Sequence, residues 1–137
     1  MPKKIIIDTN WWISFIASKK SFGLPSFFFG DIFFCFSKEL MIEIRTVLQY
    51  EHIVKRINQT NLQTFIFFEQ NIARIFEVKS NVTICRDPKD NFLLALAKDA
   101  QADFLISSDP DLLTLQQFEN TSIVTLQQFL EIINKPS

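Results

Sequence analysis

Short runs of β-branched and aromatic residues, several closed by an acidic or hydroxyl-bearing turn, alternate along this chain with stretches of helical spacing. Lys3 to Ile7 is such a run, ended by Asp8-Thr9-Asn10, and reads as a buried strand, a turn and a helix start. Asp31 to Phe36 repeats the grammar, and Ser37 stands where an N-cap is needed before a helix carrying Leu40, Ile44, Val47 and Leu48 on one face. Thr60 to Phe76 has helical spacing through Leu62, Phe65, Ile66, Ile72, Ala73 and Phe76, with Phe67 and Phe68 off that stripe. Asn81 to Cys85 is expected to be a strand, followed by the turn Arg86-Asp87-Pro88-Lys89 and a helix from Asp90 to Ala100. Ala102 to Ser107 and Ser122 to Thr125 read as two more strands, each followed by a short helix, at Asp109-Pro110 and near Leu126. Strands alternating with helices imply parallel βαβ units, hence an α/β fold. In such open sheets the ligand site lies outside the carboxyl ends of the strands, where the strand order switches.

Composition narrows the function classes. The chain has 137 residues, enough for one domain (1–137) with a real core and no need of staples. Hydrophobic residues at 47% against 21% charged exclude a disordered chain. Cys35 and Cys85 stand far apart with no CxxC spacing, so they are expected to be buried thiols and not zinc ligands or a disulfide. With two glycines there is no glycine-rich phosphate loop. The apolar run before Asp8 is too short for a signal peptide, and the aromatic stretch Phe27 to Phe36 is broken by Gly30 and Asp31 and too short to span a membrane, which leads to the expectation of a soluble cytoplasmic protein. A net charge of −1 lacks the global basic footprint of a non-specific nucleic-acid binder. Any RNA contact is then a local patch.

Three acids fall where an α/β sheet puts its site: Asp8 after the first strand, Asp90 after the Asn81–Cys85 strand and its turn, and Asp109 after Ala102–Ser107. Singly, each reads as well as an Asx-turn or helix cap. Together they converge on one crevice. At about 100° per residue Asp90 also shares the apolar stripe of its own helix with Leu93, Leu94 and Ala97, so it faces inward. Glu43 lies at the border of the buried stripe, open either to a metal role or to a salt bridge with a nearby Lys or Arg. Glu69 also falls mid-stripe but has no converging strand end, and a local partner is the simpler account. Asp111 is a second acid or a favourable charge on the short helix after Pro110, and Asp87 belongs to turn chemistry.

Clustered carboxylates repel unless a cation screens them, and hard ions such as Mg²⁺ and Mn²⁺ take oxygen ligands. Bound metal can lower the pKa of its water, and two ions about 3.5–4 Å apart can stabilise both oxygens of an in-line phosphodiester displacement. No histidine is needed. The only one, His52, lies in the charged stretch Tyr50-Glu51-His52 and is expected on the surface.

Four segments carry a family resemblance: Ile6-Ile7-Asp8-Thr9-Asn10; Ser37 to Leu48 with Glu43; Asp87-Pro88-Lys89-Asp90-Asn91 running to Ala97; and Ser107-Ser108-Asp109-Pro110-Asp111. In this order and spacing they resemble a PIN domain of the toxin/antitoxin type, similar to VapC-like toxins. The resemblance implies a three-layer α/β/α sandwich around a mostly parallel sheet. It places Asp8, Glu43, Asp90 and Asp109 in the family's acidic quartet, as catalytic and metal-holding residues for Mg²⁺ or Mn²⁺, with Asn10 and Ser107 at supporting polar positions. Its activity would be cleavage of single-stranded RNA to 5′-phosphate and 3′-hydroxyl ends. Ser107-Ser108-Asp109 departs from the family's frequent Thr-x-Asp but keeps the hydroxyl.

A toxin of this kind is usually held by a cognate antitoxin protein and is often a homodimer. Trp11, Trp12, the Phe22 to Phe36 cluster, Phe67 and Phe68 offer surfaces for both, although most are expected to be core. Arg45, Arg86 and Lys89 stand near the acids in sequence as phosphate contacts, or simply as solvated charges. A receiver-like signalling module is the first rival. It would need paired acids after the first strand and a lysine after the last, whereas Ile7 and Thr9 flank Asp8 and Leu126-Gln127-Gln128 follows Thr125. A PIN fold that only binds is the second, and activity discriminates it.

Overall fold

The computed structural model describes residues 3–19 and 32–134. Strands β1 (Lys3–Ile7), β2 (Ile32–Ser37), β3 (Arg74–Phe76), β4 (Phe104–Ile106), β5 (Gln117–Phe118) and β6 (Thr121–Val124) form one sheet in the order β3-β2-β1-β4-β6-β5. All neighbouring pairs are parallel except the β5–β6 hairpin. Helices α1 (Thr9–Ile16), α2 (Lys38–Val47), α3 (Glu51–Val54), α4 (Gln59–Asn71), α5 (Asn91–Ala100), α6 (Pro110–Leu113) and α7 (Leu126–Ile133) complete an α/β sandwich. Chain order reverses between β1 and β4, so the crevice of an open α/β sheet falls at the ends of these two strands.

The centre of the sheet is apolar without alternation, as a strand covered on both faces must be: Ile5, Ile6, Ile7 and Leu105 are all but inaccessible. Trp12 of α1 is fully buried and anchors an aromatic cluster, its ring lying 5.3 Å from those of Phe65 and Phe68 and 5.6 Å from that of Phe36. Each such side chain contributes about 1.5–3 kcal/mol through burial. Phe104 and Phe129 pair edge to face at 5.3 Å near the other end of the strand order. Both thiols are free and buried, and burial pushes that of Cys35 up to about 12.

Local signals explain most boundaries. The Ser37 side chain accepts from the Leu40 amide to start α2, Asn58 caps α4, and Thr125 forms a reciprocal capping box with Gln128 to start α7. His52 is exposed on α3, as expected. Asp31, Phe22 and Phe27 to Phe29 lie outside the described residues.

Two expectations fail together. The helix expected to run to Phe76 stops at Asn71, and Arg74–Phe76 becomes the strand beside β2, pairing Cys35 with Arg74 and Ser37 with Phe76. Asn81 to Cys85, expected to be that strand, is irregular, with Ile84 55% exposed. Ala73 and Phe76 continue the helical stripe by spacing alone, and propensity yields here to the free edge of β2. Cys85 is nevertheless buried, its amide donating to Asn91 Oδ1 at 2.9 Å, so this segment is anchored by the next helix and not by the sheet. The β5–β6 hairpin turns through Glu119 at φ 51°, without glycine, and its two-residue first strand left no sequence signal.

Candidate active site

Asp8 ends β1, and its amide donates to Ile106 O on β4 at 2.9 Å, which locks it into the central seam of the sheet. Although its backbone carbonyl begins α1, its side chain makes no capping hydrogen bond to that helix. Instead Oδ2 accepts from the Ser107 hydroxyl at 2.6 Å. The residue is only 6% exposed. Burial raises its carboxyl above the ordinary carboxylate range, the Ser107 hydrogen bond and the nearby Asn10 and Thr9 amides pull it down, and the charge of Asp109 adds to the rise.

Ser107 serves both sides, because its oxygen also accepts from the Asp109 amide at 3.0 Å. Asp109 is the N-cap of α6 and accepts from the Asp111 amide at 2.9 Å, so for this residue the capping reading holds. It nevertheless faces Asp90, whose carboxyl is pushed up to about 8 by burial, by a hydrogen bond with Asp109, and by the charges of Asp109, Asp8 and Asp87. The two carboxyls repel one another unless one holds a proton or a cation lies between them. Asp90 Oδ2 is buried with no donor, and the Asp90 side chain caps no helix.

Glu43 reaches the group from α2. It is half-buried and raised by burial and by the charge of Asp8, with the Thr9 hydroxyl lowering it. Among the described residues no cation pairs with it, so the salt-bridge alternative finds no partner. The structure thus brings Asp8 within electrostatic reach of Glu43, Asp90 and Asp109, and Asp90 within reach of Asp109. Asp90 arrives by a route different from that expected: with Asn81–Cys85 irregular, no strand end delivers it. A 3₁₀ turn, Pro88–Asp90, does so instead.

That turn also brings Asp87, read from sequence as turn chemistry. Its side chain does accept from the Lys89 amide at 3.1 Å, yet carboxylate oxygens of Asp87, Asp90 and Asp111 all lie within 4.8 Å of one another. The signal for this was present in the spacing, since residues three apart eclipse in a 3₁₀ turn and Pro88 favours a tight one. Asp111 is half-buried and accepts from Arg86 Nε at 2.6 Å, so Arg86 is committed to an acid. Arg45 likewise pairs with Glu69 on α4, which supplies the local partner expected for that buried glutamate; the structure does not bring Arg45 to the acids. Lys89 is exposed, as is Asn10.

The donor set is oxygen only, several of its carboxyls are raised by burial and further by one another's charge, and Asp90 keeps a buried oxygen without a donor. These are the properties of residues that fit a hard divalent cation.

The model of the PIN domain matches residues 4–111, from β1 to the first turn of α6, a span containing all four of these acids. No curated protein sequence matches the chain. The match covers most of the chain and agrees with the six-stranded, mostly parallel sheet, so this protein belongs to the PIN-domain family, whose members share a nuclease-like fold and are generally nucleases.

Proposed function

We propose that the protein is a metal-dependent endoribonuclease that hydrolyses single-stranded RNA to 5′-phosphate and 3′-hydroxyl ends, and that it acts as the toxin of a toxin/antitoxin pair. The observation that carries the reading is Asp8 within electrostatic reach of Glu43, Asp90 and Asp109, acids from four parts of the chain, with no cation among the described residues paired to Asp8, Glu43 or Asp90. These four would hold Mg²⁺ or Mn²⁺, with Asp87 and Asp111 completing the side around Asp90. Such an ion supplies Lewis acidity at a phosphoryl oxygen and makes water acidic enough to act as nucleophile near neutral pH. Around it, Ser107 holds the Asp8 carboxylate in one orientation, the role of an outer-shell partner. Asp90, its carboxyl raised by burial and by Asp109, would become a better ligand as it loses its proton, so metal binding there would be favoured by rising pH.

The toxin role rests on the resemblance to VapC-like toxins. Apolar side chains left on the surface, among them Phe67 at 61% and Ile75 at 54% exposure, support contacts with an antitoxin or a second copy. Among the described residues no helix is long and apolar enough to cross a membrane, and two free thiols fit a reducing cytoplasm.

The test is cleavage of total cellular RNA by purified protein in Mg²⁺, in Mn²⁺ and in EDTA, beside Asp8→Asn. Metal-dependent cuts absent from the variant are expected. No cutting under any metal, in protein free of a copurified antitoxin, would overturn the nuclease reading in favour of a PIN fold that only binds.

A further inference from the structure

Beside the acids, the ends of β1, β4 and β6 leave a small cleft of about 150 Å³. It is lined by Asn10 and Trp11 of α1, Ile106 at the end of β4 with Ser107 and Ser108 after it, and Thr125 after β6. Ser107, whose hydroxyl holds Asp8, is therefore shared between the cleft and the acidic group. No residue of the lining carries a charge. A phosphate would find no cation there and would meet the field of the neighbouring carboxylates, whereas a neutral ring meets neither obstacle.

Trp11 is suited to such a ring. It is half-buried, stacked parallel on Phe15 with centroids 5.9 Å apart and 3° between planes, and held edge-on by Trp12 at 5.1 Å. Its neighbours fix the ring while part of it stays accessible and lines the cleft. Asn10 is exposed beside it, with an amide that both donates and accepts, and Ser108 adds an exposed hydroxyl. A platform, a small neutral cleft and two polar groups at its rim match the face and edge of a nucleobase.

We infer that this cleft takes one nucleobase of the RNA strand, next to the phosphate at the acids, with Trp11 as the stacking surface and Asn10 and Ser108 selecting the base; the inference rests on the ribonuclease reading above. It gives the enzyme a preference for the base beside the cut.

The two tryptophans make binding readable directly, because Trp12 is fully buried and Trp11 is not. In Asp8→Asn protein, titration with RNA homopolymers of each base is expected to quench fluorescence, most with one base, and an oligomer with abasic positions is expected to lose the effect. Trp11→Ala in that background weakens binding about tenfold. In the active enzyme Trp11→Ala raises KM about tenfold with kcat less affected, and flattens the base preference. Ser108→Tyr fills the cleft from an exposed position and flattens the preference too, which decides the matter if Trp11→Ala fails to fold. Equal binding of abasic and ordinary oligomers, or unchanged KM and base preference in folded variants, overturns the inference while leaving the nuclease intact. Absence of cleavage in the wild type overturns the nuclease reading itself, and base-dependent quenching then still assigns the cleft to RNA. Quenching by a protein partner and not by RNA gives the cleft to a protein side chain and overturns it.

Discussion

The acids come from two kinds of ground. Asp8 sits on the central seam, its backbone tied to β4 and its carboxylate tied to Ser107, at the end of a fully buried strand run. Asp90 sits across from it on a turn that belongs to no strand, half-exposed, with Asp87 and Asp111 beside it and Arg86 as the nearby counter-charge. The sheet sets the position of the first by hydrogen bonds that no titration alters. The second is set by a local balance of charge. A cation bridging the two would therefore find one ligand already in place and would have to order the other, which predicts that changes on the two sides differ in kind.

The largest effect is expected from Asp8→Asn. The substitution keeps shape and can still meet Ser107, so circular dichroism and melting should resemble wild type while RNA cleavage falls to background, beyond the roughly 10–100-fold loss typical of outer-shell partners. Cleavage at wild-type rate would remove Asp8 from the site. Asp90→Asn should also abolish cleavage, but with a change in stability beside it. A carboxyl raised from 3.8 to about 8 binds its proton more tightly folded than unfolded, so metal-free stability should fall as pH rises from about 4 to about 8. Asp90→Asn removes that slope and should melt a few degrees above wild type at pH 7.5 in EDTA. Added Mg²⁺ should close the gap by stabilising the wild type alone. Parallel melting curves across pH for the two proteins would show that Asp90 is not crowded by the other acids.

Ser107→Ala comes next, at about 10–100-fold in cleavage, because it frees the carboxylate of Asp8 and releases the Asp109 amide without removing an acid. Ser107→Thr restores the hydroxyl and most of the rate. If Ala and Thr behave alike, packing and not the hydroxyl is what matters there.

The same contrast explains how much could be read in the sequence. β1 with Asp8, β4 with Ser107 and Asp109, and Glu43 on α2 after its Ser37 cap were legible, because contiguous β-branched runs, a hydroxyl cap and a helical stripe are local signals. The same holds for α5, whose apolar stripe is unbroken. β3 was not legible. Three residues following a helix carry no period of their own, and whether Arg74–Phe76 or Asn81–Cys85 pairs with β2 is decided by the partner's edge and not by either segment. Nor could local spacing assign Arg45 to Glu69 or Arg86 to Asp111, since each pair joins residues more than twenty positions apart. Sequence proximity to the acids offered both arginines as phosphate contacts, and the structure pairs each with a carboxylate. The cleft beside Trp11 needed β6 in place next to β4, a neighbour relation that only the folded sheet supplies.

Arg86 offers the finest test of the charge balance on the turn. Its side chain is 74% exposed, so its pairing with Asp111 contributes little to stability, about 0–1 kcal/mol, and Arg86→Ala should leave the melting temperature nearly unchanged. What it does change is the charge beside Asp87, Asp90 and Asp111: a guanidinium that neutralises one of three carboxylates competes with a cation for them. Removing it should lower the Mn²⁺ concentration needed for half-maximal binding about twofold to threefold, a modest factor because solvent screens the exposed pair. Arg86→Lys, still charged but unable to offer the forked donor, should fall between the two. If instead Arg86 serves the substrate, its loss would leave Mn²⁺ binding alone and raise the RNA concentration needed for cleavage, more so at low salt. Titrating metal and RNA separately in the one variant distinguishes a counter-charge for the turn from a contact for the phosphate.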